Sequence, residues 1–202
     1  MRRLFSTRNE NGFTLIEVVV ALSLLLVLAI AAGAFAVNAL RLSAQQQRMQ
    51  VAVTVASERM ELVQRLTASN TQAQTLTAGR DATAVTNAWA ANASVEGVAQ
   101  TYPLTSAGAV ETIPLTATTD RSGTTYTSTV LIGSCYQPKA GGACGKVGTK
   151  TEAQANADTA YSRMVRVIVT VTYTGTCAGV SPCRYTTSAL FDTTPDQTWQ
   201  TK

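Results

Sequence analysis

The sequence predicts an α+β chain. One long N-terminal α-helix, apolar in its first half and amphipathic in its second, packs on a C-terminal antiparallel β-sheet with disulfide-stapled loops. Three observations carry this. No charge occurs from Val18 to Leu40, and no proline precedes Pro103. Alternating strand-forming residues are confined to the chain after Thr112. All four cysteines lie between Cys135 and Cys183.

The first helix begins after a polar, basic stretch, Met1–Gly12, which carries Arg2, Arg3 and Arg8. The uncharged run from Val18 to Leu40 gives about 34 Å of helix, enough to cross a hydrocarbon core of about 30 Å. A helix apolar on every side needs either protein all round or lipid. A secretory signal has an apolar core of about 7–15 residues and then a cleavage site. This run is longer, and helical periodicity continues beyond it. Leu42, Met49, Val53, Ala56, Met60 and Val63 recur at helical spacing, with Gln45, Gln46, Gln47, Arg48, Glu58, Arg59 and Glu61 between them. The helix is expected from Phe13 to about Leu66, roughly 81 Å, with a membrane half at 13–40 and an amphipathic half at 41–66.

Residues 67–202 form the expected exported region. From Thr67 to about Gln100 the chain reads as a connecting loop with a short helix near Val85–Trp89. Strands are expected at about 112–118, 124–133, 163–174 and 184–192. In the third, Val165, Val167, Val169, Val171 and Tyr173 share one face, while Arg166, Thr170 and Thr172 point the other way. In the fourth, Tyr185, Thr187, Ala189 and Phe191 alternate with Arg184, Thr186, Ser188 and Leu190. Only Gly175–Cys183 separates these two, which predicts an antiparallel hairpin. The Gly-rich stretch Ser134–Ser162 joins the second strand to the third. One apolar sheet face and one apolar helix stripe complete each other.

Composition narrows the function. Charged residues are 14% of the chain against a usual share of about 25%, and hydrophobic residues are 46%. That excludes a charge-rich disordered chain. From Phe13 onward thirteen basic and eleven acidic residues remain, too even for a dedicated nucleic-acid binder, so no specific nucleic acid is expected. Histidine is absent, which removes the commonest general base and metal ligand.

Four cysteines fit folding in an oxidising compartment. Local pairing, Cys135 with Cys144 and Cys177 with Cys183, is the simplest of three connectivities, and a crossed pairing between the two loops stays open. Zinc sites favour closer cysteine pairs and histidine co-ligands, so no metal is expected. Gly141, Gly142, Gly145 and Lys146 suggest a phosphate loop, but Ala140 and Val147 stand where the motif needs Gly and Ser or Thr. The carboxylates of the exported region are scattered, no catalytic constellation forms, and neither an enzyme nor a cofactor is expected. Asn92-Ala93-Ser94 matches the N-glycosylation triplet. The 32 threonines most simply decorate exposed strand faces.

Glu17 does not fit a plain membrane anchor. A carboxylate in lipid costs several kcal/mol and usually has a partner. The run Gly12-Phe13-Thr14-Leu15-Ile16-Glu17-Val18-Val19-Val20-Ala21-Leu22 resembles the processing and assembly motif of type IV pilins and type II secretion pseudopilins. A short basic leader, Gly before Phe, Glu at the fifth mature position and an apolar helix carry the resemblance, over roughly residues 1–40. It implies that a prepilin peptidase removes the leader 1–12, cutting between Gly12 and Phe13 and methylating the Phe13 amine. It implies that Glu17 pairs with the Phe13 amine of a neighbouring pilin subunit in a filament. It also implies an inner-membrane assembly platform with a separate assembly ATPase. The location implied is single-pass in the inner membrane, with an exported C-terminal domain, and then a cell-surface pilus or pseudopilus.

Many major pilins carry a proline midway in the apolar helix; here Gly33 is the only breaker. Four cysteines exceed the family's usual single bond, and the chain is long for a major pilin. The resemblance therefore favours a minor pilin. A pseudopilin of a type II secretion system is the alternative, and a membrane-anchored adhesin or binding module outside any filament is the reading from another class.

Overall fold

The computed structural model describes residues 14–68, 73–108, 110–175, 177, 179 and 181–192. Its contacts divide into two units, residues 1–46 and 47–202. Helix α1 runs Leu15–Ala68, within two residues of the expected bounds at each end. Its last turns belong to the second unit, where Ala52, Val55, Ala56, Met60 and Val63 are buried. The expected stripe is therefore rotated in part. Ala56, Met60 and Val63 are inside, but Leu42 and Met49 are more than half exposed and Val53 is at the rim. Ala52 takes an inner position one helical turn before Ala56, and Val55 lies one turn after Ala52 on the same side.

The second unit is a five-stranded antiparallel sheet covered on both faces. Strand β1 is Tyr102–Pro103, β2 Thr116–Arg121, β3 Thr124–Pro138, β4 Tyr161–Tyr173 and β5 Cys183–Asp192. β4 pairs with β3 on one side and β5 on the other, the second pairing being the expected hairpin. β2 and β1 share the far edge of β3, β2 along Thr124–Thr129 and β1 at Gly133 and Ser134.

The expected first strand, 112–118, slides to Thr116–Arg121. Pro114 cannot donate to a ladder, and Thr112 N–H is already bonded to Ala78 O at 3.2 Å. The chain then reverses through Ser122 and Gly123, both at positive φ (50° and 72°), as a two-residue hairpin requires. β3 continues five residues past the expected end at Gly133, because Cys135–Pro138 still pair with Tyr161–Met164.

One sheet face meets α1. Val165, Val167, Val169, Val171 and Tyr173 pack with Tyr126, Val130 and Ile132 of β3 against the helix stripe. The opposite face is not the open threonine surface that the sequence suggests. Residues 73–101, read as a loop with one short helix, form helix α2 (Ala73–Leu76), helix α3 (Ala82–Ala91) and turns. Asp81 caps α3, accepting from Ala84 N–H at 2.7 Å. Val85, Trp89, Val95 and Val98 then bury Leu131 and Ile168. Helix α4 (Glu152–Asn156) forms in the Gly-rich stretch behind a capping box of Thr151 and Gln154.

The gap between β2 and β1 on the edge of β3 is closed by other groups. Val130 N–H donates to Leu115 O at 2.8 Å, and Leu104 N–H donates to Ile132 O at 3.1 Å. The Arg80 guanidinium donates to Val130 O at 2.9 Å and to Ile113 O at 2.8 Å. Arg80 is 5% exposed. Burial lowers its pKa to about 10, with the Glu111 carboxylate opposing the shift.

Gly133 sits where three elements converge. A Cβ there would lie 2.5 Å from Tyr102 O, 2.6 Å from Thr101 Cγ2 and 3.0 Å from the Trp89 ring. At Gly145 the nearest atom would be 3.9 Å away. Gly133→Ala is expected to cost about 1–3 kcal/mol by overpacking, and Gly145→Ala to stay within about 0.5 kcal/mol. Thermal unfolding of the detergent-solubilised chain, followed by circular dichroism, separates the two; equal melting temperatures would contradict the packing described.

Candidate assembly segment and sites of the second unit

The N-terminal segment begins with Thr14, whose carbonyl accepts from Glu17 N–H at 3.0 Å and Val18 N–H at 3.2 Å. Glu17 thus stands in the first turn of α1, where the N-terminal end of the helix dipole favours a negative charge. Its side chain is exposed and makes no ion pair among the described residues. The leader 1–12 and Phe13 lie outside the described residues.

Beyond Glu17 the helix is bare. Leu15 is 84% exposed, Leu28 69%, Phe35 76% and Leu40 71%. None of the apolar window is buried within the chain, and it is long and apolar enough to cross a membrane. Its backbone is satisfied within the helix, and Ser23 Oγ donates to Val20 O at 2.8 Å, which meets the hydrogen-bonding demand of a lipid environment. A Cβ on Gly33 would meet nothing within 4 Å.

In the second unit both disulfides are local. Cys135–Cys144 joins β3 to the loop after it, with Cα atoms 5.4 Å apart, and Cys177–Cys183 closes the loop before β5, at 5.1 Å. Arg166 holds the first loop from β4. Its guanidinium donates to Cys144 O at 2.5 Å, Gly97 O at 3.0 Å and Thr101 Oγ1 at 2.9 Å. Burial lowers the Arg166 pKa, opposed by Glu96.

The glycines that suggested a phosphate loop are engaged elsewhere. Gly145 N–H and C=O both bond Tyr136, and Gly141 N–H bonds Pro138 O. Asn92 of the glycosylation triplet is also occupied: it is the C-cap of α3, 7% exposed, and its Nδ2 donates to Ala88 O at 2.8 Å. Among the described residues no three His, Cys, Asp or Glu side chains gather at metal-binding distance.

The sequence reading missed one polar cluster. Glu152, from the first turn of α4, accepts from Ser134 Oγ at 2.5 Å and Arg163 Nη2 at 3.0 Å. Tyr136 Oη donates to Glu152 O at 3.1 Å. Burial, and then the Glu152 carboxylate, push the Tyr136 phenol above its ordinary pKa. Tyr136, Glu152 and Arg163 line an open depression with Leu104, Thr105 and Asn156. Its signal in the sequence was the Thr151-Glu152-Ala153-Gln154 cap; nothing local marks Ser134 or Arg163 as its partners.

Each local disulfide restricts only a short loop, and its loss is expected to cost about 2–3 kcal/mol. Cys135→Ser with Cys144→Ser, and separately Cys177→Ser with Cys183→Ser, should each lower the unfolding midpoint in urea. Peptide mapping without reduction should recover the two local pairs from the native chain; crossed pairs would contradict the loops described.

Comparison with known proteins bears on the first segment alone. Residues 7–33 match the family model described as the prokaryotic N-terminal methylation motif, the signature of type IV pilins and pseudopilins. No curated protein and no solved structure matches the chain.

Proposed function

We propose that the chain is a minor pilin, a low-copy or tip subunit of a type IV pilus-like filament that assembles through its N-terminal helix. The observation that supports it most is the coincidence of two features. The methylation motif spans residues 7–33, and over the same stretch α1 is exposed on all sides with a single carboxylate, Glu17, in its first turn.

In this reading Arg2, Arg3 and Arg8 hold the leader on the cytoplasmic side by the positive-inside rule. A prepilin peptidase cuts Gly12–Phe13 and methylates the new amine. That cut places a cation at the edge of the lipid, and Glu17 of one subunit supplies its counter-charge to Phe13 of the next. Pairing relieves a desolvation cost that each group would otherwise bear alone. The bare helices bundle, and an inner-membrane platform with its assembly ATPase draws subunits out of the membrane. Residues 47–192 then lie outside the inner membrane, where the two disulfides can form. The absence of a mid-helix proline and the second disulfide favour a minor subunit over a major one.

Two measurements test this. Mass spectrometry of the mature chain should find N-methyl-Phe13 at its start; an intact Met1 would end the proposal. Glu17→Ala should insert as well as the native chain or better, since a carboxylate at mid-membrane costs roughly 2.5–3.5 kcal/mol and less near the edge. Within a filament the same change strands a neighbour's Phe13 amine, at about 3–5 kcal/mol. The variant should therefore stay in membranes and vanish from sheared filaments, with Glu17→Asp intermediate. Unchanged incorporation of correctly cut Glu17→Ala would refute the pairing and favour an anchored module outside any filament.

A further inference from the structure

The sheet has two edges, one formed by β2 and β1 and the other by β5. Among the described strands, β2 pairs with β3 alone and β5 with β4 alone. Open edges invite another strand, and natural sheets guard them with Lys, Pro or a bulge. β5 has none of these. Its ladder to β4 is continuous from Cys183 to Asp192, and the seven residues between Arg184 and Asp192 are uncharged.

Direction and side-chain parity decide what fits this edge. The neighbouring strands β2, β3, β4 and β5 alternate in direction, so β2 and β5 run oppositely. A second copy in the same orientation therefore offers its β2 antiparallel to β5. Through the ladders, Arg184, Thr186 and Ser188 share a face with Thr116, Thr118 and Asp120. A joined sheet has to keep that face assignment. Of the registers that do, only one sets opposite charges against each other, with Arg184 facing Asp120. Thr186 then faces Thr118 and Ser188 faces Thr116, while Tyr185 and Thr187 face Thr119 and Ala117. Hydroxyl and opposite-charge cross-strand pairs are favourable ones. Arg184, Thr186, Ser188, Thr116, Thr118 and Asp120 are all exposed. Neither Arg184 nor Asp120 has an ion-pair partner among the described residues.

We propose that β5 of one copy pairs edge to edge with β2 of a second copy of this chain, in the register that opposes Arg184 to Asp120. The contact uses two different surfaces, so it repeats along a row of copies and does not close into a pair. It rests on the membrane anchoring proposed above, which gives neighbouring copies one polarity. A two-fold β5-to-β5 contact would invert one copy within the plane of the sheet.

The test is oxidative cross-linking of full-length chains in their own membranes, with Thr186→Cys on one population and Thr118→Cys on the other. A cross-linked dimer is expected only when both are present, and a ladder of multimers when one chain carries both. Arg184→Asp should reduce the yield by roughly two- to five-fold, the scale of an exposed ion pair, and adding Asp120→Arg should restore it. Dimers of Thr186→Cys with itself would overturn the proposal in favour of the two-fold contact. Lack of any cross-link, with both native disulfides intact by mapping, would overturn it as well, including the case in which residues 193–202 cover β5. Recovery in sheared filaments is scored separately. Filament recovery without cross-links refutes the edge pairing alone. Cross-links in membranes with no filament recovery refute the filament and leave the pairing standing.

Discussion

The ladder between β3 and β4, from Tyr126–Tyr173 to Pro138–Tyr161, is the interaction on which residues 47–192 depend. Its middle is buried on both faces, with Val130, Ile132, Val167 and Val169 turned to α1 and Leu131 and Ile168 turned to α3. A sheet covered on two sides excludes water from its central hydrogen bonds, so the ladder holds only if every flanking polar group also finds a partner. That explains the work given to two arginines. Arg80 supplies donors where neither β1 nor β2 reaches β3, and Arg166 ties the turns of residues 97–101 and the Cys144 loop to β4. Both stand where a strand or helix would otherwise be needed to satisfy a carbonyl.

Legibility in the sequence followed period and length. Helix α1 was legible within two residues at either end because its pattern is long and no proline interrupts it. β4 and β5 were legible because Val165–Tyr173 alternate cleanly. The covered second face was not, since Ile168 was one apolar residue among Arg166, Thr170 and Thr172, and the cover comes from an Ala- and Thr-rich segment. Trp89 and Val85 do mark that cover at helical spacing, yet nothing local says which surface they meet. The helix stripe was misplaced by part of a turn because Met49 and Leu42 are as apolar as Ala52 and Val55; which of them is inside is decided by where the sheet ends. The methylation motif of the first segment was legible, because there the chemistry is contiguous in sequence. Arg80 and the Glu152 cluster were not, because their partners lie 11 to 50 residues away.

The two halves of α1 answer different solvents. Residues 15–40 carry large side chains outward on all sides, with Glu17 the sole charge. Residues 52–63 carry small and medium ones inward, in a stripe that includes two alanines. Small residues let the helix backbone approach the sheet closely, and valines and Tyr126 on the sheet fill the space. One continuous hydrogen-bonded helix thus passes from a stretch that no part of its own chain covers to a stretch that its own sheet covers.

Neither disulfide crosses from α1 to the sheet. The bonds span 9 and 6 residues of sequence and neither takes a cysteine from the helix, although Cys183 joins the core cluster that the helix stripe enters. A pull applied along α1 is therefore resisted by no covalent link beyond the main chain. It is borne by the burial of Ala52, Val55, Ala56, Met60 and Val63, by a hydrogen bond from Tyr126 Oη to Arg48 O, and by the exposed Arg121–Glu58 pair. Under tension the helix should peel from the sheet before either stapled loop opens. The mechanical strength of the subunit is then an unfolding rate set by a dozen or so apolar side chains, with Cys183 of the second disulfide among their neighbours.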